Sequence, residues 1–231
     1  MFLKLIKKRN EAKDTVSFFF EADKPFNWIA GQYIYITLSK LNYPDERGST
    51  RHFTISTSPT EGDLIRITMR IRESSGYKKT LNNLPNGSIV EGKGPQGTFV
   101  FDEQIKNNIF LAGGIGITPF RSMIKWNIDR KLNVPIFLIY SNSDSEFVFK
   151  NEIDEWVKNN NNIKVEYFDT SESGHLDKTK IENALDGWSL DKNSLIFSVV
   201  GPNVFVDAME DSLNELNIPD SNIKTEKFTG Y

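Results

Sequence analysis

The strongest constraint on the fold is a change in hydrophobic rhythm near the middle of the 231-residue chain. In the first hundred residues, short runs rich in β-branched and aromatic side chains alternate with Gly and Pro. These runs predict strands at 16–20, 33–38, 52–56 and 64–71. Many short strands at such spacing are typical of a small antiparallel barrel or sandwich.

From about residue 109, short apolar runs alternate with segments of helical periodicity. The runs predict strands at 109–112, 134–140, 163–168, 195–200 and 223–228. Strand–helix alternation of this kind indicates βαβ units and a parallel sheet. We therefore expect two domains, an N-terminal antiparallel β-barrel over residues 1–103 and a C-terminal α/β parallel-sheet domain over residues 104–231.

Composition excludes several classes of function. Without cysteine, the chain cannot carry a disulfide, a zinc–thiolate site or its own iron–sulfur cluster. With only His52 and His175 as imidazoles, no metal site is expected. The net charge of -3 does not support nucleic-acid binding. No apolar run is long enough for a signal peptide or a membrane span, so we expect a cytoplasmic protein.

A glycine-rich turn follows the first predicted strand of the second half. It contains Gly113, Gly114 and Gly116, and we expect Thr118 to cap the following helix with Pro119 in its first turn. Glycines let backbone approach a ligand, and a helix N-terminus attracts a pyrophosphate. A tight structural turn is the alternative, because Pro119 replaces the third glycine of the standard dinucleotide fingerprint.

Two groups in the first half have side chains suited to a ligand that carries phosphate. On a predicted strand, Arg51 and Phe53 share one face, and His52 and Thr54 share the other. A guanidinium suits a phosphate, and an aromatic ring suits stacking. The stretch from Ser74 to Leu81, which contains Lys78, Lys79 and Thr80, is typical of a loop entering a short helix, with free amides and two cations near a possible phosphate. The alternatives are a strand with one exposed Arg and a solvated basic turn.

Seven motifs in order and spacing resemble the ferredoxin–NADP reductase-like flavoprotein family over essentially the whole chain. They are Gly31-Gln32-Tyr33, Arg51-His52-Phe53-Thr54, Tyr77-Lys78-Lys79, Gly94-Pro95-Gln96-Gly97, the turn from Gly113 to Pro119, Gly201-Pro202, and the terminal Glu226-Lys227-Phe228-Thr229-Gly230-Tyr231. The resemblance implies FAD as cofactor, NAD(P)H as co-substrate, a flavin-binding barrel and a nucleotide-binding α/β domain.

The resemblance also implies residue roles. Thr54 would hydrogen-bond near the reactive flavin nitrogen, Thr118 would lie close to the nicotinamide, and Tyr231 would cover the flavin and move aside for the nicotinamide. These three are the implied catalytic residues. The implied cofactor-binding residues are Arg51, His52, Phe53, Thr54, Lys78, Lys79, Thr80, Gly113, Gly114, Gly116, Thr118, Pro119, Gly201, Pro202, Phe228 and Tyr231.

Three departures from the family pattern affect the expected chemistry. Phe53 stands where the family usually has Tyr, which keeps stacking but removes a hydroxyl. Val200 stands where many members have Cys before the Gly-Pro pair. No Arg follows the strand at 136–140, where members that prefer a 2′-phosphate often place one. Instead Asp144 would repel a 2′-phosphate, which favours NADH slightly over NADPH.

The implied function is an NAD(P)H-dependent flavoprotein reductase that passes electrons to a protein acceptor such as ferredoxin or flavodoxin. The basic cluster of Lys4, Lys7, Lys8 and Arg9 could dock an acidic acceptor or could be a charged edge strand. Two alternatives stay open. One is a non-catalytic nucleotide- or flavin-sensing module, and the other is the reductase subunit of a larger redox complex.

Overall fold

The computed structural model describes residues 1–229, which divide into two compact units. The first comprises Met1–Phe101 together with Arg121–Trp126, and the second comprises the rest of the described chain. Each unit has its own cluster of buried apolar side chains. The two-part architecture expected from the change in rhythm is confirmed, while a boundary between residues 103 and 104 stays a prediction.

The first unit contains a six-stranded sheet in which every neighbouring pair is antiparallel. Its elements are β1 (Phe2–Ala12), β2 (Thr15–Ala22), β3 (Tyr33–Thr37), β4 (Thr50–Thr54), β5 (Ile65–Arg70), α1 (Gly76–Asn83) and β6 (Ile89–Gln96). The strand order is β4-β3-β6-β1-β2-β5. A bridge between Ile55 and Ile67 joins the two end strands, which closes the sheet into the expected barrel.

The barrel interior follows from the alternation of side chains along its strands. In β1, Leu3 and Leu5 are fully buried while Lys4 between them is exposed, because successive side chains point to opposite faces. Phe18 and Phe20 of β2 belong to the same buried cluster. The outer face carries charged residues such as Lys4, and it also exposes the apolar side chains of Phe2 and Ile89.

The edge-strand interpretation of the basic cluster is wrong for Lys4, which pairs with strands on both sides, whereas Lys7, Lys8 and Arg9 lie beyond the residues that pair with β6. The strand that carries this cluster, β1, pairs with β2 along its length and with β6 through the residues Phe2, Leu3 and Lys4. Neither β1 nor β6 shows the apolar runs that predicted the other strands, because β1 carries the basic cluster and β6 contains Gly92, Gly94 and Pro95.

The second unit contains a five-stranded sheet in which all strands are parallel. Its elements are β7 (Asn108–Gly113), α2 (Ile117–Asp129), β8 (Ile136–Asn142), α3 (Lys150–Asn159), β9 (Ile163–Asp169), α4 (Thr170–Ser173), α5 (Lys178–Gly187), β10 (Ile196–Pro202), α6 (Asn203–Glu215) and β11 (Ile223–Phe228). Within α2, residues Arg121–Trp126 are counted with the first unit. The strand order is β11-β10-β7-β8-β9. All five strands were expected from the apolar runs.

The course of the chain through this sheet creates a topological switch point. From β7 the chain moves outward through β8 to β9, and it then returns to place β10 on the opposite side of β7. Open α/β sheets bind ligands at the carboxyl ends of the strands beside such a reversal. Among residues 1–229, no helix is long and apolar enough to cross a membrane.

Candidate functional site

Two glycine-containing turns lie at the carboxyl edge of the parallel sheet, at its switch point. One follows β7 and contains Gly113, Gly114 and Gly116, and the other is Gly201-Pro202 at the end of β10. The two strands are paired neighbours. Their turns therefore occupy the position where this class of sheet binds a nucleotide.

Backbone geometry explains why the first turn contains glycine. Gly114 has a φ of +52°, a left-handed conformation that costs glycine little. A Cβ on Gly116 would collide with the backbone carbonyl of Val200 in β10. The turn after β7 is therefore in direct backbone contact with the neighbouring strand.

A phenyl ring provides the second constraint on these turns. Phe205, in the first turn of α6, lies so close that a Cβ on Gly113 would be 2.6 Å from its ring and a Cβ on Gly201 would be 2.7 Å away. The ring thus packs on two glycines from adjacent strands. Any larger residue at either glycine would displace it.

Thr118 does not cap the helix as expected. A 3-10 turn at Gly114–Gly116 precedes α2, which begins at Ile117 and so places Thr118 and Pro119 in its first turn. The Thr118 hydroxyl is buried and donates to the carbonyl oxygen of Ile115, 3.0 Å away. Only its acceptor lone pairs are left for a ligand.

The loop after β8 holds a carboxylate in a defined position. Asn142 lies beside the glycine turn, with Oδ1 3.7 Å from a Cβ built on Gly114. Its Nδ2 donates to the Asp144 carbonyl and to the Asp144 Oδ1, both at 3.0 Å. The Asp144 Oδ1 also accepts from the Glu146 N–H at 3.0 Å. Asp144 is therefore ordered by its own loop.

A buried carboxyl group lies next to the position where the family pattern has Cys. Glu226 of β11 pairs with Val200 of β10. Its Oε2 is buried and has no hydrogen-bond partner among the described residues. Burial raises the pKa of Glu226 to about 7, since a charged carboxylate is poorly solvated there. Glu226 is thus a titratable group near neutral pH.

Strand β4 in the first unit has the two faces predicted by its alternation. Arg51 lies 5.2 Å from the ring centroid of Tyr77, and Phe53 stacks with the same ring at 6.0 Å. The Arg51 side chain is only 10% exposed, so the interpretation as an ordinary exposed Arg is wrong. Phe53 is buried in the barrel core.

His52 and Thr54 lie on the other face. His52 lies 5.1 Å from the ring of Tyr33 and 5.6 Å from that of Tyr35, and Thr54 pairs with Tyr33. Partial burial, with the positive charge of Arg47, lowers the pKa of His52. This imidazole is exposed on the sheet surface, beside the two tyrosine rings.

The N-terminus of α1 already holds a carboxylate from another part of the chain. Ser75 caps the helix by accepting from the Lys78 N–H at 3.3 Å. The Asp45 Oδ2 accepts from the Ser75 hydroxyl and the Tyr77 N–H, each at 2.9 Å. The Asp45 Oδ1 forms an ion pair with Arg51. An anion therefore sits at the expected phosphate position.

Lys78 indicates how positive this region is. Burial, together with the positive charges of Arg72, Arg47 and Arg51, lowers its pKa to about 8, because neighbouring positive charges disfavour a protonated amine. The buried Lys78 and the largely buried Arg51 lie near the exposed Arg47 and Arg72. Together these cations outnumber Asp45, and the cluster suits a ligand that carries phosphate. It is not the solvated basic turn considered as the alternative.

The next two residues of α1 face the loop that contains Asp45. Thr80 is buried and its Oγ1 accepts from the Asn42 N–H at 3.0 Å. The Lys79 ammonium lies 4.9 Å from the ring centroid of Tyr43. Both side chains therefore contact protein, and their expected roles at a flavin pyrophosphate stay predictions.

Comparison with known proteins decides the family. Two family models match the chain, an oxidoreductase FAD-binding domain over residues 2–101 and an oxidoreductase NAD-binding domain over residues 110–211. The chain belongs to the ferredoxin–NADP reductase-like family. It is an oxidoreductase that binds FAD and a nicotinamide nucleotide, so the family, the fold and both expected cofactors are confirmed.

Curated relatives of this family member are longer than the chain itself. Flavohemoprotein A of Dictyostelium discoideum is 30% identical over 237 residues, which cover 96% of this chain and 58% of the relative. The glycine betaine monooxygenase reductase subunit of Pseudomonas aeruginosa is 29% identical over 168 residues, covering 71% and 45%. The chain thus spans less than two thirds of these relatives.

Solved structures show the same fold. The FAD/NAD-binding domain of nitric oxide dioxygenase from Vibrio cholerae matches with a TM-score of 0.81 at 17% identity, covering 98% of both chains. Phthalate dioxygenase reductase matches with a TM-score of 0.76 at 24% identity, covering 98% of this chain and 67% of that one. At these identities the likeness concerns the fold alone.

The remaining residues implied by the resemblance are the two aromatic residues near the C-terminus, Phe228 and Tyr231. Phe228 ends β11 opposite Pro202, next to the second glycine turn. Tyr231 lies outside the described residues, so its role stays a prediction.

Sequence reasoning gave no role to four residues that shape these sites: Asp45, Asn142, Phe205 and Glu226. Asp45 follows Pro44 in a turn-like segment, which was the one available signal. Which distant group its carboxylate would reach could not be inferred locally.

We expect Gly113→Ala to lower the free energy of unfolding by about 2 kcal/mol, because the new Cβ collides with the Phe205 ring. Phe205→Ala should remove most of that penalty, giving a large coupling energy in a double-mutant cycle measured by urea denaturation. Gly116→Ala is the matched control, since its Cβ meets a backbone carbonyl. Equal coupling of Phe205 to both glycines would contradict the packing.

Glu226 should make stability fall with rising pH. Its folded pKa of about 7 lies above the ordinary value of 4.5, so the folded state binds more protons between these values. The free energy of unfolding should decrease across this window, by about 3 kcal/mol. Glu226→Gln should flatten the profile in urea denaturation between about pH 5 and pH 8. An unchanged slope would show that Glu226 does not titrate there.

Proposed function

We propose that this chain is an NADH-dependent reductase that passes electrons through FAD to a one-electron protein acceptor such as ferredoxin or flavodoxin. A nicotinamide releases a hydride, and a flavin can release the electrons singly. Residues 1–103 would form the FAD-binding domain and residues 104–231 the NAD(P)-binding domain. The observation that carries the proposal is the pairing of the two glycine turns at the switch point.

Roles at the nucleotide turn follow from its contacts. Gly113, Gly114 and Gly116 let the backbone approach the nucleotide, and the start of α2 offers it a partial positive charge. Thr118, whose proton is held by the Ile115 carbonyl, would accept a hydrogen bond from the carboxamide of the nicotinamide. Gly201, Pro202 and Phe228 would line the same side of the sheet.

Flavin-binding roles in the first unit are proposed from the charge, the hydroxyl groups and the aromatic rings of its side chains. Arg51 and Lys78 supply positive charge for the flavin phosphates, and Thr54 supplies a hydroxyl for the flavin nitrogen. Thr54 is buried on the face shared with Tyr33. We propose Phe53 and Tyr231 as the aromatic groups that cover the flavin ring.

Preference for NADH is inferred from Asp144. Its carboxylate is held in the loop after β8 by Asn142 and by the Glu146 N–H. In this family fold, a negative charge held after that strand would repel the 2′-phosphate of NADPH. In this proposal, Asp144 alone accounts for the discrimination between NADH and NADPH.

Anaerobic titration tests the proposal. Addition of NADH should bleach the flavin absorbance of protein loaded with FAD, and the protein should then reduce ferricyanide continuously. Binding of FAD without turnover would instead indicate the nucleotide-sensing alternative, which the absence of a thiol at Val200 favours. Protein that binds no FAD would contradict the proposal as a whole.

We expect kcat/KM with NADH to exceed that with NADPH by about tenfold. Asp144→Asn should reduce this ratio by improving NADPH, and Glu182→Gln, an exposed residue of α5 with the same charge change, should leave it unchanged. An equal ratio in wild type and Asp144→Asn would remove Asp144 from nucleotide selection.

The acceptor is proposed from charge and from relatives. Residues 1–101 carry 15 Lys and Arg against 10 Asp and Glu, whereas the rest of the chain carries 13 against 21. Lys4, Lys7 and Arg9 are exposed on β1. One relative is a reductase subunit, which supports delivery to a separate protein and keeps a larger redox complex as the second candidate.

Replacing Lys4, Lys7 and Arg9 together with Gln should slow reduction of an acidic protein acceptor, and the loss should shrink as salt is raised. Lys8 is left in place because its ammonium donates to the Asn82 carbonyl at 2.5 Å. Ferricyanide reduction should be unaffected. The control replaces Lys106, Lys131 and Lys158, which are exposed in the second unit. Equal losses with both acceptors would rule out docking by this cluster.

A further inference from the structure

The loop at residues 41–48, termed the capping loop, places a carboxylate on the N-terminus of α1. All four hydrogen-bonding directions of Asp45 are used. Its Oδ2 accepts from the Ser75 hydroxyl and the Tyr77 N–H, each at 2.9 Å. Its Oδ1 accepts from the Arg47 N–H at 3.1 Å and from Arg51. This is the set of donors that an anionic oxygen of a phosphate would use.

Arg51 is committed to the same loop. Its Nη1 donates to the carbonyls of Arg47, Gly48 and Thr50 at 2.7, 3.1 and 2.7 Å, while its Nη2 pairs with Asp45. A guanidinium held in this way has few N–H groups left to donate to an external phosphate. The arginine expected to bind a flavin phosphate therefore already donates its hydrogen bonds to the capping loop and its neighbours.

The capping loop lies directly on the helix. A Cβ on Gly76 would collide with the carbonyl oxygens of Pro44 and Tyr43, so no side chain fits between loop and helix. Farther along α1, Thr80 accepts from the Asn42 N–H. The loop and the first turns of α1 thus form one closed contact.

The surrounding charge exceeds what Asp45 neutralises. Lys78 is buried near Arg72, Arg47 and Arg51, and their positive charges help to lower its pKa to about 8 despite the opposing effect of Asp45. Burial tends to raise the pKa of Asp45, but its hydrogen bonds and Arg51 hold it below its ordinary value. The cluster would accommodate the greater negative charge of a phosphate group.

We propose that Asp45 is an internal substitute for a flavin phosphate, so that its carboxylate keeps the capping loop closed on Arg51 and α1 until the cofactor displaces it. The inference rests on the proposed assignment of the flavin phosphates to Arg51 and α1. Asp45 then sets the apparent affinity for flavin nucleotides, because only the fraction of molecules whose capping loop is open can bind them.

Asp45→Asn tests this role, with Glu46→Gln as the matched control. Glu46 is the exposed neighbour in the same loop and carries the same charge. In Asp45→Asn the affinity for FAD and FMN, measured by quenching of flavin fluorescence, should rise about tenfold. Affinity for riboflavin, which has no phosphate, should not change. Glu46→Gln should match wild type for all three.

Thermal unfolding of the flavin-free protein gives an independent readout. Asp45→Asn should lower the Tm by about 5 °C, since Arg51 and the helix N-terminus lose their anion. Inorganic pyrophosphate should then raise the Tm of Asp45→Asn more than that of wild type. An FAD affinity that is unchanged or weaker in Asp45→Asn would overturn the proposal, because Asp45 would then serve only to position Arg51.

Stopped-flow binding to wild type decides the question if Asp45→Asn does not fold. The observed rate should reach a plateau with increasing FAD and FMN, set by loop opening, and should rise linearly with riboflavin. A linear rise for FAD would contradict the proposal. If wild type binds no flavin, the proposed function fails, whereas the pyrophosphate comparison still tests whether Asp45 occupies an anion site.

Discussion

The carboxyl edge of the parallel sheet is closed by contacts that leave no room for side chains between β7 and β10. Gly116 meets the backbone carbonyl of Val200, and the Phe205 ring packs on Gly113 and Gly201. The position of the helix that begins after this turn is therefore set by backbone atoms. This explains how the family pattern can lose its Cys at Val200 without losing the turn, because the contact is made by the carbonyl and not by the side chain.

How much was predictable depends on whether the relevant interactions are local. The five parallel strands were all expected, because strands buried between helices need continuous apolar runs. In the barrel, β1 and β6 were missed because half of each strand faces outward and is charged or glycine-rich. The glycine turn was located correctly, but the capping role predicted for Thr118 was wrong. A 3-10 turn precedes the helix, and the Thr118 hydroxyl donates to the Ile115 carbonyl within it.

The proposed phosphate site shows the limit of local reasoning most clearly. Motifs identified the cations Arg51 and Lys78, but the group that now neutralises them, Asp45, acts on Ser75 and Tyr77 about thirty positions away. Alternation and helix propensity carry no information on which distant carboxylate reaches a helix terminus. Electrostatics does predict that some carboxylate must be present, since a buried lysine surrounded by guanidinium groups is stable only if an anion is near.

The orientation of Glu226 follows from its neighbour. Lys227 pairs with Asp207 at 2.7 Å and Glu210 at 3.1 Å on α6. These contacts raise the pKa of Lys227, and the hydrogen bond that Lys227 donates to Asp207 has the largest effect. Since successive strand residues point to opposite faces, fixing Lys227 toward α6 directs Glu226 to the other face, beside Val200. A group that titrates near neutral pH is thereby held at the sheet edge that carries the nucleotide turns.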